Sequence, residues 1–160
     1  MWSDKEQQEL DKILKKYPPD RKMSAVLPAL YLAQREKNWL DDDDIAAVAE
    51  ALDISVTHVH SIIGFYTLFR KHPTGKYMIE VCTDLPCALR GAEGFYKRLC
   101  ERMGLDDHGG TTEDGLFTFE EVMCIAACDK APCLQINLDY YENLTDEQID
   151  EVLSRLRAEA

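Results

Sequence analysis

Four of the six cysteines stand in two short pairs, and this arrangement constrains the chain more than any other feature of its sequence. Cys82 and Cys87 have C-x4-C spacing, and Cys124 and Cys128 have C-x3-C spacing. Each pair begins where a segment that predicts a β-strand ends. Two loops at strand ends can therefore bring four sulfur atoms to one point.

Four clustered thiolates need a soft cation, which leaves zinc and an iron–sulfur cluster as the main candidates. Structural zinc sites favour C-x2-C, although spacings up to C-x4-C occur. The wider loops also suit a cluster in which a separate pair of sulfurs holds each of two irons. Neither pair is C-x2-C, which argues against a thioredoxin-type dithiol. Spacing alone favours a cluster and leaves zinc, a redox thiol pair and plain buried cysteines open.

The remaining two cysteines are expected to be buried neighbours of other elements. Cys100 follows Leu99 in a predicted helix, far along the chain from both pairs, which favours a packed thiol. Cys133 follows Pro132 at the start of a predicted strand. An alternative ligand role is considered for Cys133, but a buried position is favoured. A reducing cytosol disfavours disulfides, so six cysteines favour metal binding or redox chemistry.

Charge and hydropathy exclude several classes of protein. The 160 residues carry a formal net charge of −12, and nucleic-acid binding needs a basic face instead. No apolar run approaches the roughly 20 residues of a membrane helix, so no direct membrane insertion is expected. The N-terminal stretch MWSDKEQQELDK is polar and mixed in charge, unlike a secretion signal, which predicts a cytoplasmic location.

The sequence predicts a helical domain at 1–74 and an α/β domain at 75–160, with the boundary in KHPTGK. Ser3 and Ser24 are expected to cap the first two helices. Four consecutive aspartates precede IAAVAEAL and suit the start of a third helix. A fourth helix is predicted over VTHVHSIIGFYTLF.

In the second domain, KYMIEVC and LFTFEEV predict strands, and the alternation in LFTFEEV predicts one buried face. TDLPC predicts a loop, and a helix is predicted from about Gly91 to Met103. CLQINLDYYENL is expected to hold one or two short strands, and Thr145 with Gln148 predicts a capping box that opens a final helix. This order of elements is typical of a small α/β layer architecture.

Several longer stretches resemble one known family. They are LYLAQREKNWL and ISVTHVHSIIGFYTLF in the first half, then VCTDLPCALRGAEG, CIAACDKAPCLQIN and DYYENLT in the second. Together they are similar to the E-type subunits of NADH–quinone oxidoreductase, that is, of respiratory complex I. These subunits are thioredoxin-like [2Fe-2S] ferredoxins with an N-terminal helical domain, and the resemblance covers nearly the whole chain.

The resemblance implies an electron-transfer subunit that binds one [2Fe-2S] cluster. It implies these cluster ligands: Cys82, Cys87, Cys124 and Cys128. The cluster would exchange single electrons with the flavin of an F-type partner subunit, which holds the flavin mononucleotide and the NADH site. Other peripheral-arm subunits would be further partners, and the location would be cytoplasmic, peripheral to the inner membrane. The alternative is the equivalent subunit of an NAD-linked hydrogenase or formate dehydrogenase.

The chain departs from the family pattern in the second cysteine loop. Ile125-Ala126-Ala127 stands where the family usually has Leu-Gly-Ala, and Asp129–Cys133 stands where it often has Val-Asn-Ala-Pro-Met. A positive φ at Ala126 would be costly because alanine has a Cβ that glycine lacks. Nearby charges are also expected to tune the cluster. The acids Asp84, Glu120, Glu121 and Asp129 are expected to lower its midpoint potential, opposed by Arg90 and Lys130.

Overall fold

The structure, a computed structural model, describes residues 2–160 and divides the chain into two compact units. The first, Met1–Pro73, is helical, and the second, Thr74–Ala160, combines helices with a five-stranded sheet. This confirms the predicted fold class. Within residues 2–160, every helix is too short or too polar to cross a membrane.

The first unit contains four α-helices and one 3-10 segment. In chain order they are α1 (Asp4–Leu14), the 3-10 segment Pro19–Ala25, α2 (Val26–Gln34), α3 (Asp42–Leu52) and α4 (Val56–Phe65). Their apolar faces meet in one core, which includes Leu10, Leu30, Ile45, Val48 and Val59. The spacing of these apolar residues along each helix explains why the unit can bury them.

The predicted helix starts are partly correct. Ser3 accepts the backbone N–H of Glu6 in a capping box, and Asp41 does the same for Asp44. The expected Ser24 cap is wrong, because the 3-10 segment leads directly into α2 and no side chain caps that helix. Helix α4 is also shorter than predicted, since the chain becomes extended at Tyr66.

The second unit is built on a sheet of five strands. The strands are β1 (Tyr77–Cys82), β2 (Gly110–Thr111), β3 (Phe117–Val122), β4 (Leu134–Ile136) and β5 (Asp139–Tyr141), in the spatial order β2-β3-β1-β4-β5. Three α-helices join them: α5 (Leu85–Ala88), α6 (Ala92–Arg102) and α7 (Asp146–Ala158). Strands β1 and β3 are parallel, and the other pairs are antiparallel.

Strand pairing decides where the cysteine loops lie. In the parallel β1–β3 pair, Cys82 is the register partner of Val122, so both strands end at the same edge of the sheet. The predicted single buried face of β3 is wrong at its start, because Thr118 is buried as well as Phe117 and Phe119. The Thr118 hydroxyl accepts the Gly75 N–H at 2.6 Å, and this hydrogen bond makes its burial favourable.

Candidate cysteine site

The first cysteine pair lies inside the fold. Cys82 ends β1, and Cys87 lies in α5, a single helical turn that replaces the loop predicted for TDLPC. The Cys87 N–H donates to the Asp84 carbonyl at 2.8 Å, which fixes this turn. Both thiols are buried. Burial raises the pKa of Cys87, and contacts with the Cys82 and Cys133 thiols raise it further.

The second pair lies nearer the surface. Cys124 is exposed and Cys128 is half-buried, at the start of a 3-10 turn, Cys128–Lys130. The loop bends at Ala126, whose φ of 60° places it in the left-handed region. This bend points the Ala126 N–H at the Cys124 Sγ, 3.4 Å away. The second loop thus presents both a thiol and an amide donor to the site.

The two pairs meet at the shared edge of β1 and β3. The Cys82 Sγ is 3.6 Å from the carbonyl oxygen of Met123, the residue before Cys124. Burial raises the pKa of Cys128, and the nearby Cys124 and Cys82 thiols raise it further, so sulfurs of both loops interact. The structure therefore brings all four predicted ligands to one end of the sheet.

The arrangement suits two metal ions better than one. Within residues 2–160, no three His, Cys, Asp or Glu side chains converge closely enough to hold a single metal ion. Zinc needs about four ligands around one ion. A [2Fe-2S] cluster takes two thiolates at each iron, and the chain supplies two contacting pairs. The donor set and its pairing fit such a cluster.

The two other cysteines are both buried, as expected. Cys100 lies in the core between α6, α7 and the sheet. Cys133 instead belongs to a small cluster of buried residues around the first pair, with its Sγ 3.9 Å from the Cys87 Sγ.

Charged side chains near the site are mostly engaged with other groups. Arg90, after the first loop, donates to the carbonyl oxygen of Asp129, in the second loop, at 3.3 Å. Lys130 forms a 2.8 Å ion pair with Glu142, which reduces the positive charge available to the site. The Thr83 hydroxyl donates to the Glu121 carboxylate at 2.5 Å.

Two features of the site have no signal in cysteine spacing. The Tyr140 hydroxyl donates to the Ile125 carbonyl at 2.7 Å and so supports the second loop from β5. Three large apolar side chains also flank the cysteines with most of their surface exposed: Leu85 at 67%, Leu89 at 80% and Met123 at 73%. The apolar residue at every fourth position of LPCAL could have indicated that face.

The profile of the thioredoxin-like [2Fe-2S] ferredoxin family matches residues 10–157. The chain belongs to this family. The match spans both units and includes all four predicted ligands. It confirms the family that the sequence motifs indicated.

Curated relatives of this ferredoxin carry one shared name, that of the E-type component of NADH-quinone oxidoreductase. Over 144 residues the chain is 43% identical to the relative from Rickettsia prowazekii (strain Madrid E), covering 89% of this chain and 81% of the relative. It is 38% identical over 141 residues to the relative from Mycobacterium bovis (strain ATCC BAA-935 / AF2122/97), covering 88% of this chain and 55% of the relative. The resemblance to E-type subunits is thereby confirmed.

Solved structures with the same fold include an NAD+-reducing [NiFe]-hydrogenase. Its air-oxidised form superposes with a TM-score of 0.69 at 21% identity, covering 82% of this chain. This chain corresponds to only 23% of the hydrogenase chain. The H2-reduced form gives a TM-score of 0.72 at 20% identity. At this level of identity the likeness concerns the fold alone.

Proposed function

We propose that this ferredoxin is an electron-transfer subunit of an NADH–quinone oxidoreductase, in which its cluster exchanges single electrons with the flavin of a partner NADH-binding subunit. The observation that carries the proposal is the meeting of two cysteine pairs at the common end of two parallel strands. The proposed ligands are Cys82, Cys87, Cys124 and Cys128. Relatives that are 38% to 43% identical and named for this complex support the same role.

When bound, a [2Fe-2S] cluster supplies one-electron chemistry. The chain's own residues hold and orient the ligands. Arg90 joins the two loops through the Asp129 carbonyl, and Tyr140 fixes the Ile125 carbonyl. The bend at Ala126 directs a backbone N–H toward a ligand sulfur, and such donors raise a cluster's potential by stabilising the added electron.

The exposed apolar side chains around the site indicate that a partner covers it. Leu85, Leu89 and Met123 flank the two loops and are mostly exposed, whereas large apolar side chains in isolated proteins are usually scattered. We assign the flavin-carrying F-type subunit to this face, because single-electron exchange needs the flavin close to the cysteines. Other peripheral-arm subunits would contact other surfaces, and the assembly would be cytoplasmic and peripheral to the inner membrane.

Metal analysis of the purified full-length chain tests the cluster. Protein prepared under anaerobic conditions should be brown and contain about two irons and about two acid-labile sulfides per chain. Reduction by one electron should produce an electron paramagnetic resonance signal. A colourless protein that holds one zinc would contradict the proposal.

Copurification tests the partner surface. Leu89→Asp places a charge on the exposed apolar face, and we expect it to reduce recovery of the flavin-containing subunit while cluster content stays unchanged. Leu138→Asp is the matched control, because Leu138 is also exposed, at 53%, but follows the opposite end of β4 from the cysteines. Equal recovery with both variants would argue against this docking face.

The alternative is the equivalent subunit of an NAD-linked hydrogenase or formate dehydrogenase. The hydrogenase structures share the fold at about one-fifth identity, and this does not decide between host complexes. Tagged chain isolated from its native cells would decide. Recovery with a quinone-reducing NADH dehydrogenase supports the proposal, and recovery with hydrogenase or formate dehydrogenase subunits supports the alternative.

A further inference from the structure

Cys133 lies between the two cysteine loops although it is outside the proposed ligand set. Its Sγ is 3.9 Å from the Cys87 Sγ in the first loop. It is also 3.6 Å from the carbonyl oxygen of Ala127, the residue before Cys128 in the second loop. The Cys133 side chain therefore already points into the space that the two loops enclose.

Sheet geometry fixes this direction. The Cys82 N–H donates to the Cys133 carbonyl at 3.3 Å, which continues the antiparallel β1–β4 pairing by one position. Directly opposed residues of an antiparallel pair project from the same face of the sheet. Cys82 and Cys133 thus point to the same side, and Cys87 contacts both.

We propose that Cys133 is a reserve ligand: when the Cys87 thiol is lost, the Cys133 thiolate binds iron in its place and the cluster stays in the chain. The inference rests on the proposed function, since it requires the chain to hold a [2Fe-2S] cluster. Binding releases the Cys133 thiol proton, as for any cysteine ligand, and requires no oxidant or reductant.

Cys100 provides the internal comparison. It is as fully buried as Cys133, but it lies in the core formed by α6, α7 and the sheet rather than beside the cysteine loops. A buried thiol in general therefore has no access to the site. The reserve role belongs to the position of Cys133.

The test uses Cys87→Ala in the full-length chain, reconstituted with iron and sulfide under anaerobic conditions. We expect this variant to keep the iron and sulfide content of the unsubstituted protein, with a shifted paramagnetic resonance spectrum after reduction. Adding Cys133→Ala should abolish the cluster. Adding Cys100→Ala instead should leave the content and spectrum of Cys87→Ala unchanged.

The outcomes separate this inference from the proposed function. If the unsubstituted protein holds no cluster, the proposed function fails first. If it holds one and Cys87→Ala does not, or if Cys133→Ala changes nothing in the Cys87→Ala background, the reserve role is wrong.

Because Cys87 is fully buried, the same set is also made with Cys87→Ser, which nearly preserves side-chain volume. Circular dichroism identifies the folded set on which the decision rests. In the serine set, a spectrum that does not change when Cys133→Ala is added would overturn the proposal.

Discussion

The two cysteine loops each supply two sulfurs, but they are built differently. In the first loop Cys82 and Cys87 are buried, and a strand end and a helical turn hold them. In the second loop Cys124 is exposed, Cys128 is half-buried, and the backbone between them takes a left-handed bend. The first loop belongs to the packed interior, whereas the second is an irregular segment stabilised by few contacts.

This difference suggests a division of labour. A preformed pair reduces the conformational entropy lost on cluster binding, and a looser pair leaves room for the cluster to enter. The first loop would then act as the base of the site and the second as its closing side. Substitutions in the second loop should consequently affect cluster retention more than they affect the fold.

The largest effect is expected from removing a ligand of the looser loop. Cys128→Ser should lose the cluster or alter it severely, because one iron would keep only a single thiolate of its pair. The folded structure should persist, since Cys128 is only half-buried. Iron and sulfide analysis together with circular dichroism would check both parts.

Cys133→Ser is the matched control for that variant. Cys133 is outside the proposed ligand set, so the unsubstituted ligands should keep the cluster in place. Loss of the cluster from Cys133→Ser would overturn the ligand assignment. Retention in Cys128→Ser with an unchanged spectrum would do so equally.

Much of this contrast between the loops follows from the sequence. Strand-forming residues before each pair predicted that both pairs begin at strand ends, and β1 and β3 are present as expected. The burial of Cys100 and Cys133 was also predicted. These inferences succeed because they depend on local patterns of apolar residues, which the sequence displays directly.

Other parts of the site depend on long-range contacts, which local patterns do not reveal. Tyr140 reaches the Ile125 carbonyl only because β5 pairs with β4 beside the second loop. The Ser24 cap failed for a related reason, since the tertiary packing of Ala25 and Val26 in the helical core continues a 3-10 segment into α2. Such outcomes are set by partners distant in the chain.

The left-handed alanine offers a direct measure of strain in the second loop. We expect Ala126→Gly to stabilise the cluster-free protein by about 0.5–1 kcal/mol. An L-residue in this conformation costs roughly 1–2 kcal/mol, which exceeds the roughly 0.5–1 kcal/mol that glycine loses through chain entropy. Urea unfolding of the cluster-free protein, followed by circular dichroism, measures the change.

Ala127→Gly is the control for backbone strain. Ala127 has a φ of −122° and is buried, so glycine there relieves no strain and removes a packed methyl group. This variant should be destabilised by about 1 kcal/mol. If both substitutions change stability in the same direction, strain at Ala126 is not the cause.

A somewhat smaller effect is expected from the hydrogen bond that supports the second loop. Tyr140→Phe removes the donor to the Ile125 carbonyl, which should cost about 1 kcal/mol. Release of iron to a chelator should then be about fivefold faster. Tyr141→Phe is the matched control, because Tyr141 packs against the core of the sheet. Equal release rates for both variants would show that the Tyr140 contact does not hold the loop closed.

The smallest effect is expected from one acid in each loop. Asp84→Asn and Asp129→Asn should each raise the midpoint potential, because removing a negative charge makes addition of an electron more favourable. Asp84 is half-buried, whereas Asp129 is exposed and its carbonyl accepts a hydrogen bond from Arg90. Solvent screens exposed charges, which interact by about 0.2–1 kcal/mol, so the shift should be larger for Asp84.

Salt dependence sharpens this last comparison. Added salt should reduce the shift caused by Asp129→Asn more than the shift caused by Asp84→Asn, because screening acts most strongly on the exposed charge. Redox titrations at low and high ionic strength would measure both. A midpoint that stays constant or falls in either variant would contradict the charge effect, and a larger shift for Asp129 would place the cluster nearer the exposed loop than the buried one.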